Sequence, residues 1–229
     1  GKSGERELEL MASGTWRVFQ LAQALDIRRI IFPSSTAVHG YQRPSVDLVS
    51  ETEHLNTDTL YGSTKLMCEH VGAAINRVVG RNVIPSVRLP SVYGPGAEIG
   101  SRRVNVPAVQ ASRGQIGRVD YPAEAQVYIA HIVDTVRLLA NLCEADVVQH
   151  SVYELGGLTT TFGEIASVIE KLVPGAETVF GDESYTPLPH SVDWSRIREE
   201  FGMDHRSMQE GMASILEFER AKLTGREAA

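Results

Sequence analysis

The sequence predicts an α/β fold, a parallel sheet with flanking helices, and three observations predict it. Two short apolar segments, Ile30-Ile31-Phe32 and Asn82 to Leu89, have the composition of strands buried on both faces. Between them, residues 60–79 carry a long amphipathic helix pattern, and a strand–helix–strand order closes as a parallel pair with a helical crossover. Hydrophobic residues make up 42% and charged residues 22% of the 229, a balance that suits a folded domain and argues against disorder.

Taken in order, residues 1–9 are polar and read as a loop or a frayed start. Leu10, Val18, Leu21, Ala22 and Leu25 mark a helix over 10–25, blemished by Ser13 and Gly14. The first strand follows Arg28 and Arg29 and ends in Phe32-Pro33-Ser34-Ser35-Thr36. Residues 39–58 form a long surface loop rich in turn-forming residues. The helix 60–79 sets Leu66, Val71, Ala74, Ile75 and Val78 on its apolar side and stops at Gly80. The second strand breaks at Pro90, and Tyr93-Gly94-Pro95-Gly96 is a turn. Helices are expected over 104–113 and 132–142, and a late strand over 152–155 before Gly156-Gly157. Thr161 with Glu164 forms a capping box for a helix over 162–172. A small helix starts at Val192-Asp193-Trp194-Ser195 and ends near Gly202, and a last one spans 208–223.

Composition narrows the function. The net charge of −7, with no stripe of Lys and Arg, argues against a nucleic-acid or membrane partner. The densest basic stretch joins Arg102-Arg103 to Arg113 and Arg118; it is either a solvated face or a site for an anionic substrate group. Cys68 and Cys143 fall on apolar helical patterns and read as buried free thiols. No stretch is apolar enough to span a bilayer and no signal-peptide pattern opens the chain, so a cytoplasmic location is expected. The histidines lack metal-like spacing, and no metal is expected. His131 and Asp134 read as structural, with Asp134 capping the helix that follows and His131 hydrogen-bonded underneath.

The chemistry concentrates around Tyr61-Gly-Ser-Thr-Lys65, whose tyrosine and lysine share one helical face. An ammonium beside a phenol favours the ionised phenol, which suits proton exchange near neutral pH. Ser34, Ser35 and Thr36 stand at the carboxyl end of a buried strand, where open α/β sheets bind ligands. Together they make a three-part site of the hydride-transfer kind.

These residues sit within a series of ordered motifs. Ile31-Phe32-Pro33-Ser34-Ser35-Thr36-Ala37-Val38-His39-Gly40 is followed by Glu51, then by Tyr61 to Leu66 with Glu69. Arg88-Leu89-Pro90-Ser91-Val92-Tyr93-Gly94-Pro95-Gly96, Tyr128 to Asp134, and Asp193-Trp194-Ser195 with Phe201-Gly202 come next. From Leu10 onward the series resembles the extended short-chain dehydrogenase/reductase family of the NAD-dependent epimerase/dehydratase type. The resemblance implies a Rossmann-like fold with Tyr61 as general acid/base, Lys65 assisting it and holding a cofactor ribose, and Ser35 bonded to the reacting oxygen. It implies that Phe32, Pro33, Ser34, Tyr61, Lys65 and Pro90 border NAD or NADP. Ser35, Thr36, Ser91 and Tyr93 would face a sugar-like or small carbonyl or hydroxyl substrate. It also implies a homodimer paired through the helices 10–25 and 60–79.

The family's Gly-x-x-Gly-x-x-Gly turn has no counterpart, and Gly94 to Gly100 has the wrong spacing and place for a dinucleotide phosphate. The expectation is therefore a truncated Rossmann-like sheet, lacking its amino-terminal half. Residues 1–90 would carry the Ser-Tyr-Lys site, completed by parts of 91–160, and 91–229 would largely form a mixed substrate-binding region. Ser91 stands where many nucleotide-sugar enzymes have asparagine, and Glu124 to Val127 lacks their diphosphate-gripping arginine. His39 replaces the usual tyrosine, as a packing substitution or a second titrating group. Two alternatives stand beside the redox reading: a cofactor-independent ester or lactone hydrolase using Ser35, Tyr61 and Lys65, and a non-catalytic binding scaffold.

Overall fold

The computed structural model describes residues 2–40, 48–52, 55–96, 102–185 and 191–225. The chain begins in a helix, not in the expected loop. Helix α1 (Lys2–Leu8) passes through a π-helical turn (Glu9–Ser13) into α2 (Gly14–Ala24). Local periodicity gave no sign of α1 because it carries few apolar residues. Tertiary contact supplies the reason, since Gly4 lies against Leu60 at the start of the long helix. The wide turn takes the place of the blemish at Ser13 and Gly14, and the Met11 carbonyl within it accepts the Cys68 thiol at 3.5 Å.

Strand β1 (Phe32–Ser35) leads into a 3-10 turn (Thr36–His39), and α3 (Leu60–Val79) and β2 (Ser86–Leu89) follow; much of the expected loop over 39–58, residues 41–47 and 53–54, lies outside the described residues. Both strands lie nearer their carboxyl ends than the apolar runs suggested. Pro85 has no N–H, so the regular ladder opens where Phe32 donates to its carbonyl at 2.9 Å. Helix α3 matches its expected span, capped by Thr59 accepting from Gly62 and closed by Gly80 in the left-handed region at φ 75°.

The remainder runs β3 (Ser91–Tyr93), α4 (Arg102–Ser112), β4 (Gly117–Val119), β5 (Gln126–His131) and α5 (Ile132–Glu144). It continues through β6 (Val152–Glu154), β7 (Leu158–Thr161), α6 (Phe162–Leu172), β8 (Thr178–Phe180), α7 (Ser195–Phe201) and α8 (Met208–Leu223).

Strands β1, β2 and β6 form a parallel sheet in that order, with Phe32 opposite Ser86 and Ser86 opposite Val152. Phe32 packs with Phe19, Cys68 and Ile75 from α2 and α3 on one face. Val87 and Tyr153 pack with Leu138, Leu142 and Ile197 from α5 and α7 on the other. This is the expected α/β arrangement, a parallel sheet with flanking helices, here in three layers. Pro90 then diverts the chain from β2 into a second sheet, in which β3 pairs parallel to β5 and β5 antiparallel to β7. Strands β4 and β8 pair separately. A second core of Tyr93, Val104, Ile129, Phe162, Ile165 and Met212 lies under α4, α6 and α8. Among the described residues no helix is long and apolar enough to cross a membrane. Cys68 is buried as expected, whereas Cys143 is exposed on the outer side of α5.

Candidate functional site

The pleat of β1 sends alternate side chains to opposite faces. Ser34 falls on the face under α3, 3% exposed, and its hydroxyl donates to Glu69 at 2.5 Å. Arg88 on β2 donates to the same carboxylate through Nε at 3.0 Å and Nη2 at 2.8 Å, and through Nη1 to Glu154 on β6 at 3.0 Å. His39, wholly buried, lies 2.7 Å from the same Glu154 oxygen. Burial works against the Arg88 charge, but hydrogen bonds and charge from Glu69, with Glu154, hold its pKa above the ordinary value. Glu51 accepts the Glu154 backbone N–H at 3.1 Å, and burial pushes its carboxyl above the usual range. The expected cofactor contact at Ser34 is thus corrected: its side chain belongs to a buried charge network. His39 belongs to the same network. Sequence reading named Glu69 and Arg88 without giving them a task, and it missed Glu154. The available signal was a charge inside each apolar strand, Arg88 between Val87 and Leu89 and Glu154 between Tyr153 and Leu155.

Ser35, on the other side of the pleat, caps the 3-10 turn and accepts the Ala37 N–H at 3.2 Å. Thr36 is fully buried, with its hydroxyl donating to Leu89 O at 3.4 Å, so its expected role facing substrate is not met. The start of α3 presses on this turn. A Cβ at Gly62 would lie 2.5 Å from the Ala37 carbonyl, so only glycine permits the approach. Tyr61, the residue before it, is 39% exposed. One turn on, Lys65 donates to the Pro33 carbonyl at 2.7 Å, with its ammonium 5.0 Å from the Phe32 ring centroid and 5.7 Å from that of Tyr61. Burial lowers the Lys65 pKa, against the opposing pull of Cys68 and Glu69. Ser35, Tyr61 and Lys65 therefore occupy adjoining elements at the carboxyl end of β1.

The bordering residues divide. Pro33 is exposed and Ser91 half-buried, whereas Phe32 and Pro90 are buried. Tyr93 is fully buried, its ring edge-on to His131 at 5.2 Å, and burial raises its pKa. Its expected substrate contact is corrected, because α8 closes over it at Gly211, where a Cβ would collide with the Tyr93 hydroxyl. Gly94 exchanges two hydrogen bonds with Asn105, at 3.2 and 2.8 Å, and a Cβ there would meet Ile132. The rest of the Gly94 to Gly100 cluster, from residue 97 on, lies outside the described residues. His131, not Asp134, caps α5, accepting from Val133 N, while its Nε2 meets Ser214 at 3.0 Å. Asp134 instead accepts from the Arg206 backbone at 2.9 Å, tying α5 to the start of α8. Among the described residues no group of three or more His, Cys, Asp or Glu is arranged to hold a metal.

The family model described as NAD dependent epimerase/dehydratase family matches residues 2–156. No curated protein sequence matches the chain. Among solved structures, a GalE-like L-threonine dehydrogenase from Cupriavidus necator, in its holo form, superposes with a TM-score of 0.80 at 22% identity, over 90% of this chain and 70% of that one. L-threonine 3-dehydrogenase from Trypanosoma brucei gives 0.82 at 21% identity, over 99% of this chain and 74% of that one. MoeE5 in complex with UDP-glucuronic acid and NAD gives 0.78 at 22% identity, over 94% and 72%. At such identities the likeness establishes the fold, a Rossmann-like α/β architecture.

Proposed function

Given that this chain belongs to the NAD dependent epimerase/dehydratase family, we propose that Ser35, Tyr61 and Lys65 serve nicotinamide-dependent chemistry on a sugar-like substrate or a small carbonyl- or hydroxyl-bearing one. One observation carries this reading. The Lys65 ammonium is fixed between the Phe32 ring and the Pro33 carbonyl, with exposed Tyr61 beside it, on the helix whose Gly62 touches the Ser35 turn.

The residues present suit the ribose and nicotinamide end of such a cofactor. Lys65 offers a half-buried cation for the ribose hydroxyls, and exposed Pro33 offers a flat apolar border. When bound, the nicotinamide supplies hydride transfer to or from carbon. The chain's own part is proton handling and orientation. The Tyr61 hydroxyl exchanges a proton with the substrate oxygen, Ser35 donates a hydrogen bond to that oxygen, and Lys65 keeps positive charge beside the tyrosine ring. The substrate class is supported by the names of the neighbours, L-threonine dehydrogenases and a protein holding UDP-glucuronic acid. Among the described residues no hydrogen bond joins Ser35 to Tyr61 or Lys65, so no contact favours a hydrolytic use of Ser35.

Calorimetric titration with NAD(H) and NADP(H) tests the proposal. One dinucleotide should bind saturably, and Lys65→Ala should weaken it. Tyr61→Phe should leave that binding intact while lowering turnover about 10²- to 10⁴-fold, the usual worth of a general acid/base. Absence of saturable binding of either dinucleotide to the wild type overturns it.

A further inference from the structure

We infer that the cleft between α3 and the segment around Glu51 and Leu55 binds an elongated small molecule with an apolar body and one carboxylate head, held at Arg77. None of Ser35, Tyr61 and Lys65 lines this cleft, so the inference goes beyond the reading above and does not rest on it.

Helix α3 presents Leu66, His70, Ala73 and Arg77 to the cleft, at spacings of four, three and four that make one stripe along the helix. The helical rise from Leu66 to Arg77 makes that stripe about 16 Å long. Leu55 and Val152 add apolar surface, and the cavity measures about 620 Å³, a volume typical of small-molecule sites.

The sheet edge beside the cleft excludes a peptide strand as the occupant. Strand β6 is the outer strand of its sheet, but its outward backbone groups are already engaged. Glu51 accepts the Glu154 N–H at 3.1 Å, Arg196 donates to the Val152 carbonyl at 2.8 Å, and Glu51 and Arg196 pair with each other at 3.5 Å. Strand addition would have to break all three contacts. A small molecule need break none.

The charges give that molecule a direction. Towards the inner end, Glu69 is paired with Arg88 at 2.8 Å and Glu51 with Arg196, and both carboxylates are buried. They offer nothing to an anionic head. Arg77 is exposed, and among the described residues no carboxylate lies within 4.0 Å of it. The free guanidinium therefore receives the head, while the body lies along Ala73 and Leu66. Arg77 belongs to the last turn of α3, whose carbonyl end offsets part of its charge. Attraction grows in proportion to the charge of the head, but the cost of stripping its water grows with the square of that charge. A weakened cation thus favours a singly charged carboxylate over a phosphoryl group.

Calorimetry with octanoate, octanol and octyl phosphate as probes, on the wild type and on Arg77→Gln, Arg77→Lys, Arg81→Gln and Ala73→Trp, tests this. Octanoate should bind tenfold or more tighter than octanol, and tighter than octyl phosphate. Arg77→Gln should bring octanoate down to the affinity of octanol, and Arg77→Lys should keep part of the difference. Arg81→Gln, altering an exposed charge outside the cleft, should keep all of it. Ala73→Trp, which fills the cleft midway, should abolish octanoate binding. Octanoate binding no better than octanol, or weaker than octyl phosphate, overturns the inference. Equal losses in Arg77→Gln and Arg81→Gln do so too, as does undiminished binding to Ala73→Trp, which places the probe on apolar surface elsewhere. Unchanged thermal unfolding of the variants shows that their losses are local; if Ala73→Trp does not fold, the contrast between Arg77→Gln and Arg81→Gln decides.

Discussion

Lys65 is shaped by opposing demands, a half-buried ammonium fixed to the Pro33 carbonyl and kept beside an exposed tyrosine. Burial lowers its pKa from the ordinary 10.5, so the folded state holds this proton less firmly than the unfolded chain. The stability tied to that shift is present in full above pH 10.5 and is lost as the pH falls through 10.5 to the folded value. Wild type should therefore gain thermal stability relative to Lys65→Met as the pH rises toward 10.5, which paired melting curves would show. Gly62 gives a second expectation at this scale. Gly62→Ala forces its Cβ onto the Ala37 carbonyl and should cost about 1–3 kcal/mol in urea unfolding, with turnover reduced because the Ser35 turn must shift. The adjoining placement of Ser35, Tyr61 and Lys65 was legible in the sequence because helix spacing and strand-end position are local properties. The burial of Thr36 and Tyr93 was not, because it is decided by Leu89 and Gly211, residues brought near only by the fold.

Among the elements, α3 and the three parallel strands are joined by charge as well as by apolar contact. Ser34, Glu69, Arg88, Glu154 and His39 lie on β1, α3, β2, β6 and the 3-10 turn, and every one of them is buried. Removing one partner leaves an uncompensated charge in the interior, a loss of roughly 3–5 kcal/mol. Glu69→Ala should lose about that much in urea unfolding, and Ser34→Ala only about 1 kcal/mol, the scale of a single hydrogen bond. Helix α3, the Thr161–Glu164 capping box and the span of α8 were readable because caps and periodicity coincide there. Strands β4, β5, β7 and β8 were not, since three to six residues are too few to display alternation and their partners lie far along the chain. The start of α1 escaped for a similar reason, its helix being supported by α3 rather than by its own pattern.

For the molecule as a whole, the α/β class followed from the order of its segments, whereas the division of the described strands into three sheets did not, because Pro90 gave notice only of a break. Burial lowers the pKa of both His131 and His205, so each favours its neutral form in the fold. The stability this confers is complete above pH 6.5 and is lost as the pH falls below 6.5 toward the folded values. His205→Phe, which keeps an aromatic ring against Trp194, should flatten the fall in melting temperature on the acid side of pH 6.5. Val18, Leu21 and Leu25 recur at helical spacing near α2, 54%, 58% and 63% exposed, and we propose that this stripe forms part of a homodimer paired through the helices 10–25 and 60–79. Leu21→Glu with Leu25→Glu should then lower the mass found by analytical ultracentrifugation to that of one chain.

The bridge between Val49 and Val192 has a consequence for biosynthesis. Val49 donates to Ser191 O at 3.2 Å and accepts from Asp193 N at 2.5 Å, so the segment leading into the Tyr61 helix is fastened by residues synthesised far later. A nascent chain that has emerged only as far as α6 can assemble β1, α3, β2 and β6 while that fastening is still missing. Ribosome-stalled intermediates should accordingly show the loop before Tyr61 open to protease until the codons past Asp193 have been translated.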